Sequence, residues 1–249
     1  MLLNPDKTKL SKRQGDVAVE DYLKKGYLPE ALLNFILLLG WNPGTEQELF
    51  SLNELIEAFS IEHIQKSGAV FNRDKFLWFN REYLRKLTNE EFLVYLLPAV
   101  GERLTTLPQY SLERLTYILP IIRERISVRS EFSEAAQAGE YDFAFVTPSY
   151  EVSLLLPKNV TAVTDIRPHL DKVLELLADA DFTSPETIKT ALWSYAEATG
   201  KGNVLWPLRT ALSGKAQSPD PFSIAYTIGK EESLARVRTA CDKINGNAS

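Results

Sequence analysis

Val19-Glu20-Asp21-Tyr22-Leu23-Lys24-Lys25-Gly26-Tyr27-Leu28-Pro29-Glu30-Ala31-Leu32-Leu33-Asn34-Phe35, running on to Leu38-Leu39-Gly40-Trp41, is the stretch that sets the fold class. Its punctuation is helical. Asp16 is placed to cap a helix running to Lys24 or Lys25 and closed by Gly26. Pro29 suits a first helical position, where its missing N–H costs nothing, and Gly40 ends the apolar run from Ala31 to Leu39. The same grammar repeats downstream. Ser51-Leu52-Asn53-Glu54 and Thr88-Asn89-Glu90-Glu91 fit the capping box, in which hydroxyl and carboxylate satisfy orphan backbone donors reciprocally. Asn72 can start the helix carrying Phe76, Phe79 and Tyr83, and Ser111 the helix of Leu112, Leu115, Ile118 and Leu119. Asp165, Ser184 and Gly229 read as later starts, and Leu170-Val173-Leu174-Leu177 and Leu234-Val237-Ala240-Ile244 keep the 3.6-residue period. Only Tyr150 to Leu156 suggests an extended segment, with no second strand to pair it. The expected fold class is all-α, with a small helical domain followed by helical bundles.

Two interior boundaries suggest themselves, near residues 87–89 and within 146–164, where Pro148, Pro157 and Asn159 break the helical period. The expected segments are 1–15, 16–87, 88–160 and 161–249. At 249 residues and 45% hydrophobic, the chain can bury a sizeable core. Its one cysteine, Cys241, excludes an intramolecular disulfide and a multi-cysteine zinc site, so no metal is expected. Met1-Leu2-Leu3 leads straight into a polar loop rather than a signal peptide, and no apolar run is long enough for a membrane. The expected location is the cytoplasm or an organellar matrix, without a membrane partner. A net charge of −5 argues against an indiscriminate nucleic-acid binder, whose affinity rests on a basic excess. It leaves room for a protein that binds one folded RNA through restricted basic patches.

Just before the helical chain lies Lys9-Leu10-Ser11-Lys12-Arg13, on the polar loop Asn4-Pro5-Asp6-Lys7-Thr8. Two lysines flanking a serine can surround a triphosphate from one side: lysine is a point charge that follows phosphates, and the hydroxyl adds a hydrogen bond. Taken alone, such a run is more often a solvated loop. Its continuation through Gln14-Gly15-Asp16 into the stretch quoted above changes the reading. The combination resembles bacterial and organellar glutamyl-tRNA synthetases, class I enzymes whose Lys-Met-Ser-Lys-Ser-type loop ends the catalytic half. The resemblance resumes at Phe76-Leu77-Trp78-Phe79-Asn80 and Tyr83-Leu84, and again at Pro207-Leu208-Arg209-Thr210-Ala211-Leu212-Ser213-Gly214, Ser218-Pro219 and Gly229-Lys230-Glu231. Leu10 and Arg13 replace the motif's methionine and last serine, sparing the cations. Neither His63 nor His169 begins the His-x-Gly-His-type motif of the nucleotide-binding domain.

The resemblance implies the following. The chain corresponds to the tRNA-binding half. Segment 1–15 would end the catalytic domain, 16–87 would contact the tRNA stem, and 88–160 and 161–249 would bind the anticodon. Lys12, supported by Lys9 and Ser11, would face the phosphates of ATP, which the full-length enzyme uses with Mg. This chain alone would hold no cofactor and lack ligase activity, since a positioned lysine needs its opposing wall. Its partners would be glutamate tRNA and the catalytic domain of the same protein, and it would be a monomer. Arg209 and the turn Ser218, Pro219, Asp220, Pro221 would touch the anticodon loop, although many glutamate enzymes carry glycine and leucine where Asp220 and Pro221 stand. Bases splayed from a loop are read by stacking and edge hydrogen bonds, and such a turn would offer backbone donors. Arg123, Arg125 and Arg129 form a second candidate, with 125 and 129 on one helical face. The resemblance places anticodon discrimination at Arg125, while the residues alone read equally as a solvated face pairing with Glu124 and Glu131. Trp41, Trp78 and Trp206 are expected in the core. The alternative to a synthetase portion is a standalone helical, synthetase-derived interaction or regulatory module.

Overall fold

The computed structural model describes residues 2–9, 18–65, 67–158 and 160–246. Thirteen α-helices stand among them: α1 Val19–Lys25, α2 Pro29–Gly40, α3 Leu52–Ala58, α4 Arg73–Lys86, α5 Asn89–Leu96, α6 Glu102–Thr105, α7 Leu112–Arg125, α8 Arg129–Gln137, α9 Arg167–Asp179, α10 Pro185–Thr199, α11 Lys201–Ser213, α12 Pro221–Ile228 and α13 Lys230–Ile244. The only paired strands among the described residues are two-residue pieces, β1 Leu2–Leu3 and β2 Ala69–Val70, parallel with Leu2 opposite Ala69. The chain divides into two compact units: residues 1–100 with 122–134, and residues 101–121 with 135–249. This cut differs from the four segments anticipated above, because α7 and α8 each contribute to both units.

In the first unit α2 packs on α4. The apolar residues of α2 that face inward, Ala31, Leu32 and Phe35, meet Phe76, Phe79 and Tyr83 of α4, with Tyr27 and Val128 completing the core. Phe76 lies stacked between Tyr27 (centroids 4.3 Å apart) and Phe35 (4.7 Å). Each buried phenylalanine contributes about 1.5–3 kcal/mol through area alone, and such ring pairs add about 0.5–1.5 kcal/mol. Polar groups inside are used as clamps. The Asn80 side chain accepts from the Leu28 N–H (2.8 Å) and donates to the Ser127 carbonyl (2.5 Å). Asn34 accepts from the Phe50 N–H at 2.9 Å. Gly26, at φ +91°, ends α1 in the left-handed region, and a Cβ there would lie 2.3 Å from Cβ of Arg129. Only glycine fits.

The second unit is built on α9–α13, with α13 against α9 and α11. Leu170, Val173, Leu177, Leu192, Leu208, Leu212, Val237 and Ala240 are fully or almost fully buried. Arg236 is buried among them. Its guanidinium donates to the carbonyls of Phe143 (2.8 Å), Leu212 (2.6 Å) and Val146 (3.2 Å) and to Glu232 (2.8 Å). A buried charge is tolerable only when it is paired and hydrogen-bonded in this way. Cys241 is also buried, and burial pushes its thiol up to about 11.

Most of the anticipated starts stand where the caps put them. Asn72 accepts from the Lys75 N–H, Ser51 and Thr88 make complete capping boxes, Ser184 caps α10 and Gly229 precedes α13. Two expectations are corrected. Tyr150 to Leu156 is not extended: Val152–Leu155 forms a 3₁₀ turn, since the Leu154 and Leu156 N–H groups bond back to Glu151 and Ser153. Asp165 does not cap α9; it lies inside a 3₁₀ turn, Val163–Ile166, that runs into the helix. Asp16 lies outside the described residues, and the residue preceding α1 is Ala18, which has no capping side chain.

Candidate nucleic-acid interface

The turn between α11 and α12 is defined at both ends. Gly214, at φ +70°, closes α11 and donates to the Thr210 carbonyl at 2.7 Å. A Cβ there would lie 2.6 Å from Cβ of Pro148, so the turn depends on this glycine. The Ser213 hydroxyl donates to the Arg209 carbonyl (2.7 Å) and accepts from the Lys215 N–H (3.2 Å). The Lys215 ammonium donates to the carbonyl of Gly139. At the far end Asp220 is the N-cap of α12, accepting from the Phe222 (3.0 Å) and Ser223 (2.9 Å) N–H groups, with Pro221 at the first helical position. Asp-Pro is therefore a helix start in its own right. The Phe222 and Ser223 N–H groups, the first donors of α12, are thereby satisfied within the chain. Pro219 and Pro221 are buried, Ser218 is half-buried and Asp220 is exposed.

Arg209 is tied to this turn. Its guanidinium lies over the Trp206 ring, 4.7 Å from the centroid, and one arm donates to the Ala216 carbonyl at 2.8 Å. Its Nε is buried without a hydrogen-bond partner. Trp206 in turn is held by its indole N–H, which donates to the Leu154 carbonyl at 3.0 Å. An Arg plane pinned on an indole is a pre-ordered stacking surface for a flat ring. Trp206 was expected in the core, yet it is only half-buried and acts as the plate beneath Arg209. Its three-residue spacing from Arg209 on one helix was the available signal. Of the other two tryptophans expected in the core, Trp41 is buried and Trp78 is 39% exposed. A further tryptophan, Trp193, has the ammonium groups of both Lys189 (4.7 Å) and Lys201 (4.1 Å) over its ring.

Arg123, Arg125 and Arg129 belong to the first unit and do not share one helix. The helix breaks after Arg125 and restarts at Arg129, so the shared face expected for 125 and 129 does not exist. The break is held by neighbours: Glu131 accepts from the Ser127 N–H, and Arg81 grips the Ser127 hydroxyl at 2.6 Å. Arg123 is engaged in structure. It donates to the carbonyls of Leu87 (2.5 Å) and Thr88 (3.2 Å) at the end of α4 and lies 4.6 Å from the Phe92 ring. Burial lowers its pKa, while leaving it a cation. Arg129 lies over Tyr95 and donates to that residue's carbonyl at 3.3 Å. Arg125 is the exposed member of the three.

Of the phosphate-loop residues, Ser11 and Lys12 lie outside the described residues. Lys9 is exposed and bridges Leu3 across a tight turn, in which Asp6 accepts from the Thr8 N–H (2.9 Å) and hydroxyl (2.6 Å). Those bonds hold the Asp6 carboxyl below its usual range. No group of three or more metal-ligating side chains occurs among the described residues, nor a helix long and apolar enough to cross a membrane.

Residues 72–241 match the anticodon binding domain, and residues 1–78 match the catalytic domain of class I tRNA synthetases (E and Q). The chain belongs to the anticodon-binding-domain family of the class I synthetases. Its sequence is similar to glutamate–tRNA ligases: it is 41% identical over 240 residues to the glutamate–tRNA ligase of Clostridium novyi (strain NT), covering 95% of this chain and 48% of that protein. It is 38% identical over 253 residues to that of Chloroherpeton thalassium, covering 98% and 50%. The crystal structure of a glutamate tRNA ligase from Elizabethkingia meningosepticum in complex with its amino acid superposes with a TM-score of 0.73 at 29% identity, over 97% of this chain and 50% of that one. The chain spans about half the length of the curated relatives it matches.

Proposed function

We propose that this chain holds the stem and reads the anticodon loop of glutamate tRNA, as the tRNA-binding portion of a cytoplasmic, monomeric ligase that joins glutamate to its tRNA with ATP and Mg. The observation that carries the reading is Arg209 stacked on Trp206 beside the Ser218–Pro221 turn, inside the segment that matches the anticodon binding domain. In this reading residues 16–87 contact the stem, and 88–160 and 161–249 serve the anticodon, with Arg125 as the exposed member of the set Arg123, Arg125 and Arg129. Lys12, with Lys9 and Ser11, faces ATP only when the rest of the catalytic site is present, so the chain alone forms no glutamyl-adenylate. Glutamate-dependent pyrophosphate exchange by the purified chain with tRNA would contradict that part.

The direct test is a double-mutant cycle between Arg209→Ala and a substitution in the anticodon, at one fixed salt concentration. Arg209→Ala should cost about 1–3 kcal/mol with the matching tRNA, the range of a specific arginine contact. It should cost little with the altered anticodon. Additive losses would leave Arg209 as a structural or phosphate-contacting residue.

A further inference from the structure

Helix α11 lays a cation on an indole twice. Arg209 over Trp206 is the pair already described. Eight residues earlier, about 12 Å along the helix axis, Lys201 holds its ammonium 4.1 Å from the centroid of Trp193. Lys189 of α10 brings a second ammonium to the same ring, at 4.7 Å. The outward stripe of α10 builds this second station. Ile188, Leu192 and Ala196 are buried, while Glu186, Lys189, Thr190, Trp193 and Ser194 line an open groove of about 350 Å³. Lys189 is exposed and has no carboxylate partner among the described residues. Lys201 pairs with Glu197 at 3.1 Å, and both of those side chains are half exposed. A pair so open to water is weak and is readily exchanged for another anion. Two ammonium groups fixed at one ring repel each other, and an anion shared between them removes that repulsion. The indole supplies what free surface lysines lack, because it orders both stems before anything binds. The carboxylates of Glu186 and Glu197 flank the ring along the chain, which confines the positive potential to the ring itself.

We infer that Lys189, Trp193 and Lys201 form a phosphate clamp for the tRNA backbone, separate from the Arg209 turn that faces the anticodon bases. RNA fits this surface better than an acidic protein does, since all three residues lie inside the match to the anticodon binding domain and Lys201 shares α11 with Arg209. A base held at Arg209 leaves its sugar–phosphate chain to run on toward the clamp. Contacts of this kind set register and orientation and carry no sequence information. The inference rests on the tRNA-binding reading and deepens it, by giving the chain a sequence-independent hold beside the base-reading one.

The test measures binding of glutamate tRNA by the whole chain across a series of salt concentrations. Lys189→Gln combined with Lys201→Gln should weaken binding about tenfold at low salt, and should reduce the slope of log K against log salt by about 1–2. Both lysines are exposed, so the melting curve should match the wild type. The loss should be the same for a tRNA with an altered anticodon, the opposite of what Arg209→Ala should show. Trp193→Phe should keep most of the hold because a ring face remains, whereas Trp193→Leu should lose part of it with both lysines still present. Unchanged affinity, an unchanged salt slope, or a loss confined to the matching anticodon would each overturn the clamp. If the lysine variant loses affinity and slope while Arg209→Ala shows no dependence on the anticodon, the clamp stands and the base-reading assignment falls. A wild-type chain that binds no tRNA would remove both.

Discussion

Residues 101–121 with 135–249 expose two large apolar side chains, Leu112 and Tyr117, whereas residues 1–100 with 122–134 expose thirteen among the described residues. The difference is not one of helix content, since both units are helical. It is one of closure. In the second unit five helices enclose a continuous core, and a buried arginine ties three backbone carbonyls together at its edge. In the first, one face of α2 is buried on α4 and the opposite face is left apolar and open. Isolated apolar side chains on a surface need no explanation, but a run of them on adjoining helices does. The second unit buries its apolar side chains with its own residues; the first leaves many of them exposed.

The largest test of that contrast is at Arg236. Arg236→Met should lower the stability of the second unit by about 3–5 kcal/mol, because it leaves Glu232 and three carbonyls without their buried partner. Hydrogen exchange should show the loss in α9–α13 while α2 and α4 keep their protection. Uniform loss through both units would mean that they unfold as one.

The first unit is tested by a pair of glycines. Gly26→Ala combines a left-handed φ with a Cβ 2.3 Å from Arg129, and should cost about 2–3 kcal/mol. Gly44→Ala, at φ +76° with open space around it, should cost only about 1–2 kcal/mol. Equal midpoints in urea would show that Arg129 moves aside and that the node joining Gly26, Tyr95 and Arg129 is soft.

The smallest effect is expected at Tyr83. Burial, then the field of Glu30, pushes its hydroxyl from about 10 up to about 12. A group whose folded pKa is raised stabilises fully below its unfolded value and loses that contribution as pH rises through the folded one. The first unit should therefore weaken between pH 10 and 12. Tyr83→Phe should flatten that decline, at about 1 kcal/mol of neutral-pH stability for the lost bond toward Asn34 and the Phe50 carbonyl. An unchanged alkaline slope in the variant would place the titration elsewhere.

Local chemistry was readable without coordinates. Ser51, Asn72, Thr88, Ser184 and Pro29 begin helices because their side chains satisfy, or in proline's case remove, donors of the first turn a few residues away. The family is carried by residues contiguous in the chain, from the run after Lys9 to the Pro207–Gly214 block, so it too was legible. Partners distant in sequence were not. The break between Arg125 and Arg129 depends on Glu131 and Arg81 gripping Ser127, and the commitment of Arg123 depends on carbonyls exposed where α4 ends. Trp78 and Trp206 have the composition of core residues, and only packing shows the first exposed and the second half-buried beneath an arginine.

What the sequence by itself determined is the helical class, most helix starts and the kinship with glutamate–tRNA ligases, because each rests on spacing within a few residues or on contiguous motifs. Only the tertiary structure decided which arginines are spent on backbone carbonyls, which tryptophan supports Arg209, and which face of α2 lacks a cover. Periodicity marks a side chain as apolar or charged, but whether it is satisfied depends on atoms brought to it from elsewhere in the chain.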